Sequence, residues 1–401
     1  MKVLYITYEN VFRTGILQAM VIKPLLLMSD KYNIHFTLTS TMKKFENDEI
    51  YRKNKLNFEN LKVEKINISE FEKNLSNKLS VFTFVKDMFP MVKFAINEAK
   101  SSDVIHCRSY GGALIGLIAS MVNNTPYIFD MRGCLPEETV EIGKIGSKSV
   151  KFKLLKFIEK ILIKKAAHVF TVSNKFNDYI KNSFNKEKCS NINNPTDFNI
   201  YFHEKRNNRR INFIYSGSMK IWHLPKLTIK YFSKIVEKYG DKVYLYFCSN
   251  DNVTQAKKIF EQYNVPQTNY EIKNVPYNDM PKYYAKVDIA FCFAKNLFSR
   301  SICFPVKFSE YIASELFILS NKGIGDLADI IEKHKCGLAF DNLNDIDNNI
   351  KEISKIIDKL SKNDYITCNK YNLNYLDWNN KIDAICNIYK KIIRKNKNVS
   401  N

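Results

Sequence analysis

The sequence predicts an α/β protein made of two doubly wound units, each a parallel sheet covered by helices on both faces. Three observations predict it. The chain has 401 residues, more than one ordinary hydrophobic core organises. Short apolar runs alternate with helical patterns of ten or more residues, the signature of parallel strands joined by right-handed crossovers. The alternation also occurs twice, on either side of a polar, charged passage over 191–210.

In the first half, VLYITY at 3–8 reads as a strand, followed by a loop with Thr14 and Gly15 and an apolar helical segment from Ile16 to Met28. Pro24 interrupts that segment. Proline in a helix interior costs about 3 kcal/mol, so a kink or a restart is expected there. Further strands are expected at 33–38, 104–107, 126–131 and 168–173. The second half repeats the pattern, with INFIYSGS from Ile211, a helix from Leu224, and strands at 243–249, 270–275, 288–293 and 316–321. In the tail, Trp378, Ile382, Ile385, Ile388 and Ile392 fall close to the spacing of one helical face. The expected organisation is therefore a first domain over 1–190, a linker over 191–210, a second domain over 211–374, and a terminal helix over 375–401 packing back on the first domain. Residues 396–401 are polar and expected to fray.

Composition narrows the class. Hydrophobic residues make up 45% and charged ones 26%, as in a globular protein and unlike a disordered chain. No run approaches the roughly 20 apolar residues of a membrane helix. The start MKVLYITYENVF carries neither a basic leader nor a small-residue cleavage site, which gives a cytoplasmic expectation. Nine cysteines without a CxxC or a His/Cys cluster suggest buried thiols, with neither a disulfide framework nor a zinc site. The net charge of +21 implies an anionic partner: nucleic acid, an anionic membrane surface or a phosphorylated substrate. Biased coding composition alone also yields such a lysine-rich chain. The lysines are spread along the sequence and no nucleic-acid module is recognisable, so no nucleic-acid partner is expected.

Two loops of the second half suit an anionic ligand. Ser216, Gly217 and Ser218 follow the strand INFIY directly, with Lys220, Trp222 and His223 close behind. Glycine lets a ligand approach the backbone, hydroxyls donate, and lysine neutralises a diphosphate. The other reading of the same residues is an ordinary turn. In SICFPVKFSEYIASELFILSN, Pro305 suits a first helical turn, and Lys307, Glu310 and Ser314 follow on one face. An ammonium can neutralise phosphate while a carboxylate accepts from vicinal ribose hydroxyls. The alternative is an exposed ion pair worth a few tenths of a kcal/mol.

The run FPVKFSEYIASELFILSNKGIGDLADII resembles the donor-binding segment of family 4-like glycosyltransferases, glycosyl transferases group 1, of the two-Rossmann-domain (GT-B) type. YSGSMKIW, VPYNDMPKYYAKVDIAF and the tryptophan-bearing last helix resemble that family in the same order. The resemblance implies two Rossmann-like domains facing a cleft and transfer of a sugar from a nucleotide-sugar co-substrate. It leans toward retention and implies no metal and no further cofactor. It also implies that Glu310 binds the donor ribose, that Gly217 and Ser218 face the diphosphate, that Val275 and Pro276 border the base, and that Lys307 lies near phosphate or sugar. Gly323 belongs to the glycine turn of the same segment. Two departures stand out. Ile302 occupies the place of a second glutamate, and Ser218 that of a common arginine, which shifts the diphosphate charge to Lys220, Lys226, Lys307 or Arg300.

Glycosyl transfer also needs a route for the acceptor's proton and support for the leaving group. His106 with Arg108, and Asp130 with Arg132, are the candidates for acceptor binding or catalysis. A strand-end histidine can equally be structural. The loop at Thr14 and Gly15 resembles the family's glycine loop near the reacting sugar, and is otherwise an ordinary connection. The expected acceptor is a glycan or polyprenyl-linked sugar of a bacterial envelope polysaccharide. From Lys144 to Lys165, lysines interleave with apolar residues around a single acid, Glu159. Such a helix either sits on an anionic bilayer or turns a solvated lysine face outward. The rival functions are a nucleotide-sugar epimerase on the same scaffold and a basic nucleic-acid-binding protein.

Overall fold

The computed structural model describes every residue except 44–47, 74–80, 205–209, 220, 221, 250, 252, 363–367 and 401. The chain forms two compact units, Met1–Asn193 with Trp378–Asn401, and Asn194–Asp377.

The first unit is built on strands β1 (Lys2–Thr7), β2 (His35–Lys43), β3 (Ile66–Lys73), β4 (Val104–Arg108), β5 (Tyr127–Asp130), β6 (His168–Thr171) and β7 (Cys189–Asn191). They form one parallel sheet in the order β3-β2-β1-β4-β5-β6-β7. Strands β4 and β5 are buried along their whole length. That is why they read in the sequence as apolar runs and not as alternating ones. Between β1 and β4 the strand order reverses. There Tyr5 pairs with His106 and Thr7 with Arg108, and on the next strand Arg108 pairs with Asp130.

The second unit carries β8 (Ile211–Ser216), β9 (Val243–Cys248), β10 (Tyr270–Lys273), β11 (Ile289–Cys292), β12 (Phe317–Asn321) and β13 (Gly337–Phe340). Its parallel sheet runs β10-β9-β8-β11-β12-β13, reversing between β8 and β11. Aromatic rings fill its core: Tyr215 stacks on Phe247 at 4.6 Å between centroids, and Phe213 on Phe291 at 5.6 Å. The fold class is thus the expected one, two parallel α/β sheets.

Strands β3, β7 and β13 are not marked by apolar runs in the sequence, and all three are sheet edges. Edge strands keep one side in solvent, so β3 and β7 carry mostly partly exposed residues and β13 buries fully only Phe340. Pro24 sits at the start of the helix Lys23–Tyr32, directly after a π-helical turn over Gln18–Ile22. The helix restarts there, and the wide turn relieves the clash of the ring with the carbonyl four residues back.

The last helix, Trp378–Ser400, belongs to the first unit. Trp378, Ile382, Ile385, Cys386 and Tyr389 form its buried face, while Ile388 and Ile392 lie at the margin. Asp383 ties it to Lys31 and to the Tyr32 hydroxyl, each at 2.7 Å. Part of the 191–210 passage is built into the second unit: Ser309 Oγ donates to the Asn194 carbonyl at 2.7 Å, and the Tyr201 ring is buried beside Tyr284. All nine cysteines are buried thiols. Among the described residues, no helix is long and apolar enough to cross a membrane.

Candidate functional site

In the second unit, β8 ends at Ser216 beside the reversal of strand order, where open α/β sheets place ligands. Gly217 follows with φ of +149°, a conformation natural only to glycine. Its NH donates to the Cys248 carbonyl at 3.0 Å, so the amide belongs to the sheet. A Cβ there would stand in ordinary contact, 3.4 Å from both His223 Nε2 and Lys307 Nζ, so it is the backbone conformation that calls for glycine.

Lys307 comes from the helix Val306–Ala313, with Pro305 at its N-cap. Its ammonium donates to the Ser216 carbonyl at 3.1 Å and to His223 Nδ1 at 3.2 Å, and lies 5.5 Å from the Tyr215 ring centroid. The charge of Lys307, then burial and Arg300, pull His223 down to about 2. Burial also lowers Lys307 itself.

Glu310, one turn further, is buried. Its Oε1 accepts from the Tyr277 hydroxyl at 2.8 Å and its Oε2 from Tyr284 at 3.0 Å. Burial raises this carboxyl above the usual range, while the two phenols and Lys307 pull it back. Tyr284 also meets Ser216 Oγ at 3.0 Å, and that hydroxyl meets Tyr311 at 3.2 Å. Ser216 is therefore turned inward, as the link between strand end and carboxylate.

The remaining second-unit candidates sit around this core. Ser218 Oγ donates to Asp251 Oδ2 at 2.7 Å, and the Met219 NH donates to the same oxygen. The Arg300 guanidinium lies 4.4 Å from the Trp222 ring centroid, and its carbonyl accepts from Gly325 at 3.0 Å. Gly323 has φ of +87°, with Asn296 Oδ1 3.3 Å from where a Cβ would be. Val275 is buried just before Tyr277. Lys220 lies outside the described residues.

In the first unit, His106, Arg108 and Asp130 converge at the strand ends beside the reversal. The His106 ring stacks on Tyr5 at 4.5 Å. Its Nδ1 is 2.6 Å from the Tyr389 hydroxyl, and its Nε2 stops 3.6 Å from Asp130 Oδ2. Burial, partly offset by Asp130, lowers His106 and leaves it neutral. Burial alone would raise Asp130, but Arg132, His106 and Arg108 together hold it well below the ordinary carboxylate range. Arg132 Nη1 lies 3.1 Å from Asp130 Oδ1 and Arg108 Nη1 3.8 Å from Oδ2, while Arg108 Nε donates to Glu9 at 2.8 Å. A buried carboxylate so paired anchors guanidiniums and is a poor proton acceptor. Gly15 opens the short helix Gly15–Leu17, capped by the Thr14 hydroxyl.

Residues 197–374 match the family glycosyl transferases group 1. The second unit is a group 1 glycosyltransferase domain. None of the curated proteins matches the chain in sequence. Solved structures share its fold. Sucrose-phosphate synthase from Thermosynechococcus elongatus has TM-score 0.71 at 12% identity, over 98% of this chain and 100% of that one. HepE from Anabaena, in complex with UDP and glucose, has TM-score 0.69 at 14% identity, over 97% and 99%. A putative UDP-N-acetylglucosamine 2-epimerase from Listeria monocytogenes has TM-score 0.55 at 11% identity, over 91% and 90%. At these identities the likeness is one of fold.

Within the group 1 domain, the sequence candidates Ser216, Gly217, Lys307 and Glu310 form one network. Ser218 shares the loop but faces Asp251. Ile302, in the place of a second glutamate, is buried and supplies no carboxylate. Sequence reasoning missed Tyr277, Tyr284 and Asp251, because a tyrosine that caps a carboxylate and one that fills a core have the same local signature. It also missed Tyr389 and Glu9, which reach the first-unit cluster from distant parts of the chain. Among the described residues one group of metal-ligand type occurs, Cys134, Glu137 and Glu159. The Lys156 ammonium already pairs with both of its carboxylates, at 2.8 Å for Glu137.

Proposed function

We propose that the chain transfers a sugar from a nucleotide-diphosphate sugar to a hydroxyl of a glycan or polyprenyl-linked acceptor in bacterial envelope polysaccharide synthesis. The observation that carries the reading is the joining of Lys307 and Glu310 to the end of β8 in a group 1 domain. In the transfer, the bond between the sugar's anomeric carbon and the diphosphate breaks, a bond to the acceptor oxygen forms, and the acceptor's proton is lost. Lys307 stabilises the departing diphosphate, with Arg300 contributing charge and Gly217 facing it. Glu310 holds the ribose. Each of its oxygens has acceptor capacity beyond the phenol it already takes. Ser218, Val275 and Gly323 border the donor.

On the acceptor side, Arg132 faces the reactants, while Asp130 and His106 hold the guanidiniums in position. The reaction uses the nucleotide sugar as co-substrate, needs no metal or further cofactor, retains anomeric configuration, and takes place in the cytoplasm. HepE, with its bound UDP and glucose, supports a nucleotide-sugar donor. The epimerase of the same fold supports a second reading, isomerisation of the donor itself.

A thermal-shift panel of uridine, guanosine and cytidine diphosphates and their sugars tests donor binding, because a ligand of the native state raises its stability. Product analysis with and without acceptor separates the two reactions. A transferase yields a new glycosidic bond only with acceptor, whereas an isomerised donor formed without acceptor overturns the transfer reading.

A further inference from the structure

In the first unit the helices Val81–Ala99, Ser109–Asn123 and Val150–Lys165 pack side by side. A solvent-facing helix surface ordinarily carries polar groups. The helix Val150–Lys165 departs from this. Its inward face holds Glu159, Leu162 and Ile163, yet its outward face carries a second apolar stripe. Val150, Leu154 and Phe157 are 81%, 55% and 60% exposed, at positions i, i+4 and i+7.

Lysines border the stripe. Lys153, Lys160 and Lys164 lie along one side of it and Lys151 and Lys165 along the other, all exposed. Lys144 and Lys148 extend the charge into the preceding turn. The helix Val81–Ala99 repeats the design, and the middle helix, which has no lysine, adds apolar side chains. Phe89 is 67% exposed between Lys86 and Lys93, and Met121 and Val122 are exposed at the end of the middle helix.

Acids are sparse on these three helices, although the adjoining helix Leu135–Glu141 carries Glu137, Glu138 and Glu141. On the three helices they are Asp87 and Glu159, both buried, and Glu98, which accepts from the Thr37 hydroxyl. A merely solvated lysine face accounts for the lysines but leaves the apolar stripe without a reason. Pairing with a second copy would bury the stripe but bring two lysine rows together, which repel. An anionic bilayer answers both features: side chains such as Phe157 enter the headgroup and acyl boundary, and the ammonium groups meet lipid phosphates.

We infer that this helical layer docks the protein on an anionic phospholipid bilayer, with Val150, Leu154 and Phe157 inserted and the flanking lysines on the headgroups. The inference stands apart from the donor chemistry, since no residue of the β8 network takes part.

The test is co-sedimentation of the full chain with vesicles of phosphatidylglycerol and phosphatidylethanolamine, beside vesicles of phosphatidylcholine alone. Binding is expected to the anionic vesicles only, and to fall as salt rises. Each lysine near the surface is worth roughly fivefold in binding, so replacing Lys153, Lys160 and Lys164 by glutamine weakens it about hundredfold. Leu154→Asp with Phe157→Asp is expected to abolish it, with the melting temperature unchanged because both positions face solvent. Equal binding to neutral vesicles, or undiminished binding by either variant, overturns the inference. So does sedimentation velocity showing a dimer that Phe157→Asp dissociates, because the stripe then serves self-association.

Discussion

The ammonium of Lys307 stands 3.2 Å from Nδ1 of His223, a ring that also bonds the Phe293 backbone. Its other ring nitrogen, Nε2, lies on the side of Gly217.

The first prediction concerns that ring. His223 has a folded pKa of about 2 against an ordinary 6.5. Between those values the unfolded chain binds a proton that the native state does not, so stability falls as pH drops through the window. His168, lowered to about 4, acts in the same direction. The His223 ring is therefore expected to show no NMR titration above pH 4 in the wild type and to titrate closer to 6.5 in Lys307→Met. The same variant should lose less stability between pH 6.5 and 4. An unchanged titration would show that Lys307 does not govern the ring.

Glu310 gives a second prediction. Its folded carboxyl is raised above the ordinary value, so the native state holds a proton more readily than the unfolded one, and its contribution to stability diminishes as pH rises through 4.5. Glu310→Gln removes the buried charge and keeps the shape, so at pH 7 it should melt no lower than wild type. Nucleoside diphosphates should nevertheless no longer raise its melting temperature. Glu310→Ala takes one hydrogen bond each from the hydroxyls of Tyr277 and Tyr284 and leaves Tyr284 with Ser216 Oγ, at a cost of about 0.5–1.5 kcal/mol for each bond lost. Full donor stabilisation in Glu310→Gln would remove the carboxylate from the donor site.

These two residues also show what the sequence could and could not convey. Their spacing places Lys307 and Glu310 on one helix, and the apolar runs mark the central strands, because a strand covered on both faces must be apolar throughout. Strands β3, β7 and β13 escape notice because an edge exposes one side and relaxes that demand. The partners of Glu310 escape for a different reason. Tyr277 and Tyr284 lie some thirty residues before it, on a 3-10 turn and a short helix that only the folded sheet brings to β8. Likewise Tyr389 meets His106 across 283 positions of sequence, a contact that no local pattern encodes.

That last contact supplies a third prediction. Burial pushes the Tyr389 phenol well above its ordinary range, so it stays protonated and donates to Nδ1 of a neutral His106. Since His106 Nε2 already has no hydrogen bond, Tyr389→Phe would leave the buried ring without any. The expected loss is about 1–3 kcal/mol in urea unfolding. In a double-mutant cycle, adding His106→Phe should cost less than the sum of the two single changes. Additivity would mean that the 2.6 Å contact contributes nothing of its own.

Asp130 completes the argument for the first unit. It is buried and shares its oxygens between Arg132 and Arg108, so removing its charge takes a buried carboxylate from two guanidiniums. Breaking a buried pair in this way costs about 3–5 kcal/mol. Its folded pKa lies below the ordinary 3.8, so the stability it contributes is present above that value and is lost as pH falls further. Calorimetry should therefore find Asp130→Asn markedly less stable than wild type from pH 7 down to about pH 4, with the gap closing only at lower pH. A general base poised for catalysis would behave otherwise: its removal would abolish turnover with little change in melting temperature. Observing that pattern would restore Asp130 as the proton acceptor and displace it from the anchoring role that its two arginines imply.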